Sequence, residues 1–357
     1  ERDTGRSSAG KYKFERFNFD GNDKLVIVDG ASAPTILNTS LAVTDIAATN
    51  ASTGQSTVLA ADIASDATLS GSGVITVTST SGFTDPASGT KSVLLGTEIF
   101  TYTGLSATTF TGVTRAASGS SAVAHTAGAA VLDLFPPTVT GAKHVAAFKN
   151  HMFYSGMSGT PQEVIFSAPF DEDNFSVAVG SGSFKVDDTV VGLKVFREDL
   201  FIFCENRIFK LSGTSSSNFS ITPVTRNIGC VNGDTIQEFA GDLIFLGPDG
   251  LRTIAGTARI GDVELGTISS NVQTLFRDNL GDSGAFTSLV IPDKTQYRIF
   301  FSKEGAVEKS TIGVICVLKG QTFEFSQMKG IRPACTDSVV ESGNVIPIHG
   351  SFDGYVY

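Results

Sequence analysis

The sequence predicts an all-β fold, a β-propeller of about six blades with an inserted small β domain. Three observations lead there. Gly is abundant, with 38 residues, and Ser and Thr recur throughout, as many short strands and turns require. No window sustains apolar positions three and four apart for more than about three turns, so helices are expected to be short and few. The third observation is an internal repeat.

The repeat is carried by "FKNHMFYS" (148–155), "FREDLFIF" (196–203) and "FAGDLIFL" (239–246). Each has a Phe, then polar or small residues, a tight turn placed at Asn150–His151, Asp199 or Asp242, and an alternating apolar strand. A second strand follows each one: "EVIFSAP", "NRIFKLSG" and "DGLRTIAG". A fourth copy is "IPDKTQYRIFFSKEG" with its companion "GVICVLKG". A fifth is "VESGNVIPIHGSFDGYVY", and the opening "FDGNDKLVIVDGASAPTIL" (19–37) supplies a sixth. Units of roughly 45 to 55 residues with three or four short strands each read as propeller blades. The Phe recurring at one place in each unit is expected to pack between blades.

The interval from Phe19 to Phe148 is more than twice a blade. The excess is poor in charge, with Asp45, Asp62, Asp66, Asp85, Glu98 and Asp133 against Lys91 and Arg115 between residues 39 and 137. Residues 1–38 are therefore assigned to the first propeller strands and 39–65, small and polar, to a linker or arm. Residues 66–137, with about five period-2 strands and Gly turns, are assigned to an inserted β module. The tandem Pro of "LFPPTVTG" marks the return, and 138–357 hold the remaining blades.

Charge narrows the function. With 26 basic and 36 acidic residues the net charge is −10. The Lys and Arg are scattered, the densest set being Arg2, Arg6, Lys11, Lys13 and Arg16 among Glu1, Asp3 and Glu15. That is not the footprint of a protein that grips phosphates. No apolar run approaches the ~20 residues of a membrane span. Cys204, Cys230, Cys316 and Cys335 lack paired spacing and are expected as buried free thiols.

Motifs for catalysis are missing. The sequence contains no G-x-S-x-G elbow, no C-x-x-C and no H-E-x-x-H. His125, His144, His151 and His349 are expected to pack at the surface or in loops. The acidic run Asp171 to Asn174 lacks the glycine of an EF-hand loop and is expected to be a solvated turn. A glycosidase needs two carboxylates converging from different blades; Glu163, Glu205, Asp242 and Glu324 lie near strands and are the candidates. No residue is assigned a catalytic, cofactor-binding or metal-binding role, no cofactor is expected, and the chain is not expected to be an enzyme.

The blade segments "HVAAFKNHMFYSG", "PQEVIFSAPFDEDNFS", "VVGLKVFREDLFIFCENRIFKLSG", "FSITPVTRNIGCVNGDTIQEFAGDLIFLGPDGLRTI" and "IPIHGSFDGYVY", in this order, resemble the propeller of tail nozzle and hub proteins of short-tailed phages. That group includes tail tubular protein B and the phage stabilisation protein. The resemblance covers about residues 11–38 and 140–357. The insert, through "ITVTSTSGF", "GTEIFTYTG", "TTFTGVTR" and "AVAHTAGAAV", is similar to a small β module of phage virion proteins. The resemblance implies a structural virion protein, assembled in the bacterial host cytoplasm. It would form a homo-oligomeric ring, a hexamer, at the distal end of the tail. Portal or adaptor proteins and tail fibres would be its partners, and genomic DNA would pass through without sequence-specific binding. The alternative reading is a receptor- or glycan-binding propeller, including a glycan-processing one. The final "GSFDGYVY" is expected to find its partner strand in "KYKFERFNFD", with the natural protein extending beyond Tyr357.

Overall fold

A computed structural model describes residues 10–46, 52–69, 71–81, 83, 86, 90–117, 120–134, 139–175, 180–254, 267–280, 285–302, 312–320 and 322–357. The fold is all-β and of the β-propeller type, built from successive antiparallel meanders. The chain divides into two compact units, Glu1–Lys185 with Thr214–Asn218, and Val186–Gly213 with Phe219–Tyr357.

The first unit opens with a four-stranded blade: β1 (Lys13–Phe17), β2 (Lys24–Val28), β3 (Thr35–Asn38) and β4 (Val43–Asp45). An inserted module follows, made of β5 (Ser52–Val58), β6 (Gly73–Thr76), β7 (Lys91–Leu95), β8 (Glu98–Tyr102), β9 (Gly104–Leu105), β10 (Thr109–Val113) and β11 (Ala130–Leu134). Its two sheets run β5-β11-β7-β8 and β6-β10-β9 and enclose their own core of Val93, Phe100, Tyr102, Phe110 and Val131. The second blade is β12 (His144–Phe148), β13 (His151–Ser155), β14 (Glu163–Phe166) and β15 (Gly182–Lys185).

The segment 39–65, expected as a linker or arm, instead carries two strands. β4 pairs with β3 as the outer strand of the first blade, and β5 pairs with β11 in the module. Small polar residues such as those of "STGQSTV" hid β5, because an edge strand needs hydrogen bonds more than apolar side chains. The chain leaves the blade at Ile46 and returns at Val139. Both are fully buried in one cluster with Val26, Val28 and Tyr154. Backbone hydrogen bonds from Gly30 to Ala142 (3.0 Å) and from Gly141 to Ser32 (2.9 Å) seal the return. The Pro136–Pro137 pair, Arg2 and Arg6 lie outside the described residues.

The second unit continues with β16 (Val190–Phe196), β17 (Asp199–Cys204), β18 (Ile208–Ser212) and β19 (Ser220–Thr225) as a third blade. The fourth, three-stranded among the described residues, is β20 (Gln237–Phe239), β21 (Asp242–Gly247) and β22 (Gly250–Thr253). A helix, α1 (Gln273–Leu280), precedes the fifth blade: β23 (Ala285–Ile291), β24 (Gln296–Ser302), β25 (Ile312–Lys319) and β26 (Thr322–Lys329). The hairpin β27 (Pro333–Glu341) and β28 (Asn344–Ser351) is the sixth unit. Helix is scarce, as expected, and no helix among the described residues is long and apolar enough to cross a membrane.

In the second, third and fourth blades the second strand is the most deeply buried. All five residues of β13 are buried, as are the last five of β17 and of β21. These strands were expected to alternate between core and solvent. They do not, because a blade's second strand is covered on both faces and therefore reads as a continuous apolar run. The recurring Phe148, Phe196 and Phe239 end the first strand of their blades and are buried. The turns fall one residue earlier than the sequence suggested. Lys149 and Asn150 have φ of 46° and 63°, Ala240 and Gly241 have 54° and 79°, and Arg197 has 55°. His151, Asp199 and Asp242 then start the second strands. Left-handed two-residue turns match the right-handed twist of the strands they join.

The closing stretch folds back on itself. His349 and Tyr357 exchange both backbone hydrogen bonds (3.0 and 2.9 Å), and Ser351 donates to Tyr355 (2.9 Å). Asp353 caps the turn, accepting from the Tyr355 N–H (3.0 Å) and the Tyr357 hydroxyl (2.8 Å). On the same strand the Val345 N–H donates to Asp293 (3.1 Å). The segment "KYKFERFNFD", expected as the partner of this hairpin, carries β1, an edge strand of the first blade, which pairs with β2 along its length.

Between the third and fourth blades the chain threads Gly229 to Ile236 through a narrow seam. Cys230 donates to Cys204 (2.9 Å) and Val231 to Leu246 (2.8 Å). A Cβ on Gly233 would strike the Val191 carbonyl oxygen, and one on Gly229 would strike that of Glu205. Both obstacles are backbone, which cannot rotate away. Gly233→Ala is expected to destabilise the protein by about 1–3 kcal/mol. Gly320, at a left-handed turn with nothing within 4 Å of its Cβ direction, is the control: Gly320→Asn should cost well under half as much. Denaturant unfolding of the two variants measures the difference.

Candidate functional site

The hairpin turns of the second unit frame two recesses. Arg197, in the left-handed turn after β16, lays its guanidinium over the Phe196 ring at 4.9 Å and donates to the Gly241 carbonyl at 3.0 Å. That bond ties the turn of the third blade to the turn of the fourth. On one side of the Gly241 turn lies a cavity of about 650 Å³, floored by Phe196, Phe201 and Ile254 and walled by Arg197, Asp199, Lys210, Thr222 and Asp242. On the other lies a recess of about 540 Å³ between β20, β23 and β27, lined by Glu238, Ser288, Thr336 and Asp337.

Polar groups around these recesses are held in place. The Lys210 ammonium lies 3.2 Å from Asp199 Oδ2, while Asp199 Oδ1 accepts from the Ser212 hydroxyl at 2.6 Å. Gln237 donates to Ser288 O at 3.1 Å, the Ser288 hydroxyl donates to Asp234 O at 2.7 Å, and buried Tyr297 donates to Thr235 O at 2.9 Å. Those three bonds join the fourth and fifth blades. Thr336 donates to Ser288 O at 2.9 Å and Ser302 to Pro333 O at 2.9 Å, joining the fifth to the sixth.

The carboxylates singled out in the sequence have separate partners. Glu163 accepts from Ser183 on the neighbouring strand β15 (3.0 Å), and exposed Glu324 pairs with Lys319 (3.4 Å). Glu205 is exposed in the turn between β17 and β18. Asp242 lines the larger of the two recesses described, where its companion is Asp199, a residue the sequence marked only as a turn position.

Of the four His, three are buried in paired backbone rather than at the surface. The Nδ1–H of His151 donates to Ser167 O (2.6 Å), and burial lowers its pKa against the smaller upward pull of that bond. His144 Nδ1 stands 3.2 Å from the Lys13 ammonium. His125 joins the module's ion pair, described below, and half-buried His349 stacks on Tyr357 with ring centroids 5.3 Å apart. Cys204, Cys230 and Cys316 are buried free thiols, whereas Cys335 is exposed on β27.

The acidic run is more than a solvated turn. Glu172 is buried and accepts from Lys24 at 2.6 Å, clamping the first blade to the loop after β14; Asp171 accepts from Asn174 at 3.1 Å. Among the described residues no group of three His, Cys, Asp or Glu side chains is arranged to hold a metal ion.

No protein-family profile matches the chain, and neither does any curated protein. Among solved structures, the N-terminal domain of Nup159 is similar at 9% identity, with 87% of this chain and 82% of that one covered and a TM-score of 0.38. The AfRom2 CNH domain is similar at 10% identity, covering 98% of this chain and 94% of that one, with a TM-score of 0.34. A quinonprotein alcohol dehydrogenase-like protein from Bacteroides thetaiotaomicron is similar at 8% identity over 92% of this chain and 68% of that one, again with a TM-score of 0.34. At these scores the likenesses say nothing about activity or partners.

The most heavily bonded charge in the described chain lies inside the module. Glu98 is fully buried at the start of β8, and its carboxylate takes two bonds from Arg115, at 2.8 and 2.7 Å. It also accepts from the backbone of Ala116 (3.1 Å) and Val123 (3.0 Å) and lies 2.9 Å from His125 Nε2. Arg115 spends its remaining donors on the carbonyls of Ala64 (2.7 Å) and Val123 (2.7 Å) and lies over Phe100 at 5.5 Å. Burial pushes the Glu98 carboxyl upward, but the bonds from Arg115, Val123 and His125 outweigh it and hold the group at about 2, below the usual 4.5.

With the folded value below the unfolded one, the carboxylate's stabilisation is complete above pH 4.5 and is lost as the pH falls through about 2. It amounts to about 3 kcal/mol at neutral pH. Glu98→Gln is expected to lower the module's stability by about 3–5 kcal/mol at pH 7, since it strands Arg115. The gap to the parent should shrink at pH 2. Urea melts at the two pH values measure both.

Proposed function

We propose that the chain is a structural virion protein, a subunit of the ring that forms the nozzle or hub of a short-tailed phage tail. In this reading the blades are scaffold. Six copies close around the channel through which DNA leaves, and loops dock portal or adaptor proteins and tail fibres. The subunit is made in the bacterial cytoplasm and works in the virion, and it has no catalytic role.

The observation that carries this reading is the self-sufficiency of the inserted module. It has its own core, its own buried ion pair and two anchor points, Ile46 and Val139, in the core of the first blade. A blade scaffold bearing an independent appendage suits a protein whose task is to hold neighbours at fixed positions. The order of the blade segments, which resembles that family, supports the same reading. So does the acidic balance of 36 against 26 charges, since a channel for DNA must not bind phosphates.

Electron microscopy of assembled particles tests the ring, with density for this chain expected on the tail axis as a closed hexamer. A chain found only as a free monomer and absent from particles would end the proposal. Replacing residues 47–138 by a short Gly-Ser linker tests the appendage. The blades should keep a cooperative melt within about 4 °C of the parent.

A further inference from the structure

We propose that the cavity between the third and fourth blades is a carbohydrate subsite that takes the pyranose ring of a neutral glycan. This function is additional to the ring and independent of it. The argument starts from the floor. Phe196, Phe201 and Ile254, 7%, 6% and 6% exposed, are apolar lining residues of a space of about 650 Å³. That size lies within the ~300–1,000 Å³ typical of small-molecule sites.

The wall decides the ligand class. Two cations, Arg197 and Lys210, face two carboxylates, Asp199 and Asp242, so the lining carries no net charge. Such a wall repels neither sign and selects neither. A phosphate or carboxylate ligand would meet both Asp side chains; an ammonium would meet Arg197 and Lys210. A lipid tail would match the apolar lining but desolvate the charged wall while offering it no hydrogen bond. A sugar ring matches both. Its C–H face is apolar, and each hydroxyl at its edge can donate to a carboxylate and accept from an ammonium or guanidinium.

The polar groups are also pre-organised. Arg197 is pinned between the Phe196 ring at 4.9 Å and the Gly241 carbonyl at 3.0 Å, and Asp199 is fixed by Ser212 at 2.6 Å and Lys210 at 3.2 Å. Asp242 Oδ1 accepts the N–H of Leu243 at 2.8 Å. Groups already held in position lose little freedom when a ligand arrives. Exposed Thr222 and Pro223 on β19 form the rim and leave the mouth open.

The test is a glycan array probed with the full chain, followed by calorimetric titration of the best neutral oligosaccharide. Asp242→Asn keeps the shape of the wall and should weaken binding at least tenfold. Thr222→Trp fills the mouth from an exposed position and should abolish it, and Lys210→Met is a second wall variant with the same expected loss. Unfolding midpoints of all three should stay near the parent's. Inorganic phosphate and sialylated glycans should bind more weakly than the neutral sugar. Absence of any glycan binding would overturn both the activity and the site. Binding that survives Thr222→Trp unchanged would overturn the site alone, and a preference for sialylated glycans or phosphate would overturn the ligand class.

Discussion

Burial of the second strand on both faces in the second, third and fourth blades is the constraint on which the rest of this structure depends. A single antiparallel meander exposes two apolar faces and cannot hide either by itself. Once β13, β17 and β21 are committed to being covered on both sides, every blade needs neighbours, and the chain must repeat. The left-handed turns at Asn150, Arg197 and Gly241 follow from the same demand, because they let the first strand reverse tightly into the buried one. Joins between blades can then be few and specific: a Tyr297 hydroxyl, a Ser288 hydroxyl, a Gly233 with no side chain at all.

The module solves its burial problem in another way. With few charges and many small residues it has limited apolar area for its size, and it concentrates its polar stabilisation in one place. Glu98 and Arg115 are both largely withdrawn from water, with side chains 0% and 7% exposed. Such a pair is favourable only if nearly every donor and acceptor is satisfied, and here the carboxylate takes bonds from two side chains and two backbone amides. The Arg in turn gathers carbonyls from the segment around Ala64 and from Val123, so one ion pair fixes two loops that carry little apolar anchorage of their own. The module thus has a core and a buried ion pair of its own.

Much of the architecture was legible because repetition amplifies weak signals. No single strand of "FREDLFIFCENRIFKLSG" identifies a blade, but the same layout at similar intervals does. The position of the insert was legible from composition. Its true beginning was not, since β5 is an edge strand of small polar residues that pairs with β11 far along the chain. The candidate cavity was half visible. Asp242 stood out as a carboxylate near a strand, while Asp199, Lys210 and Arg197 joined it only because two neighbouring blades bring their turns together. Buried His were misjudged for a related reason: His151 is tolerable in the core because one carbonyl, Ser167 O, lies at the right distance.

The sequence by itself determined the class of fold, the repeat and the presence of an appended module, because these rest on local patterns of turn residues and apolar runs. Tertiary structure alone decided which charges matter. Glu98, Glu172 and Asp199 look alike in the sequence. One became the centre of a buried ion pair, one a clamp between blades and one the wall of a cavity. A carboxylate's role depends on its desolvation and on the donors within about 3 Å, and those donors come from residues distant in the chain. The last stretch, "GSFDGYVY", divides in the same way: its turn is written in Asp353 and Gly354, but only the tertiary structure shows His349 as the partner of Tyr357.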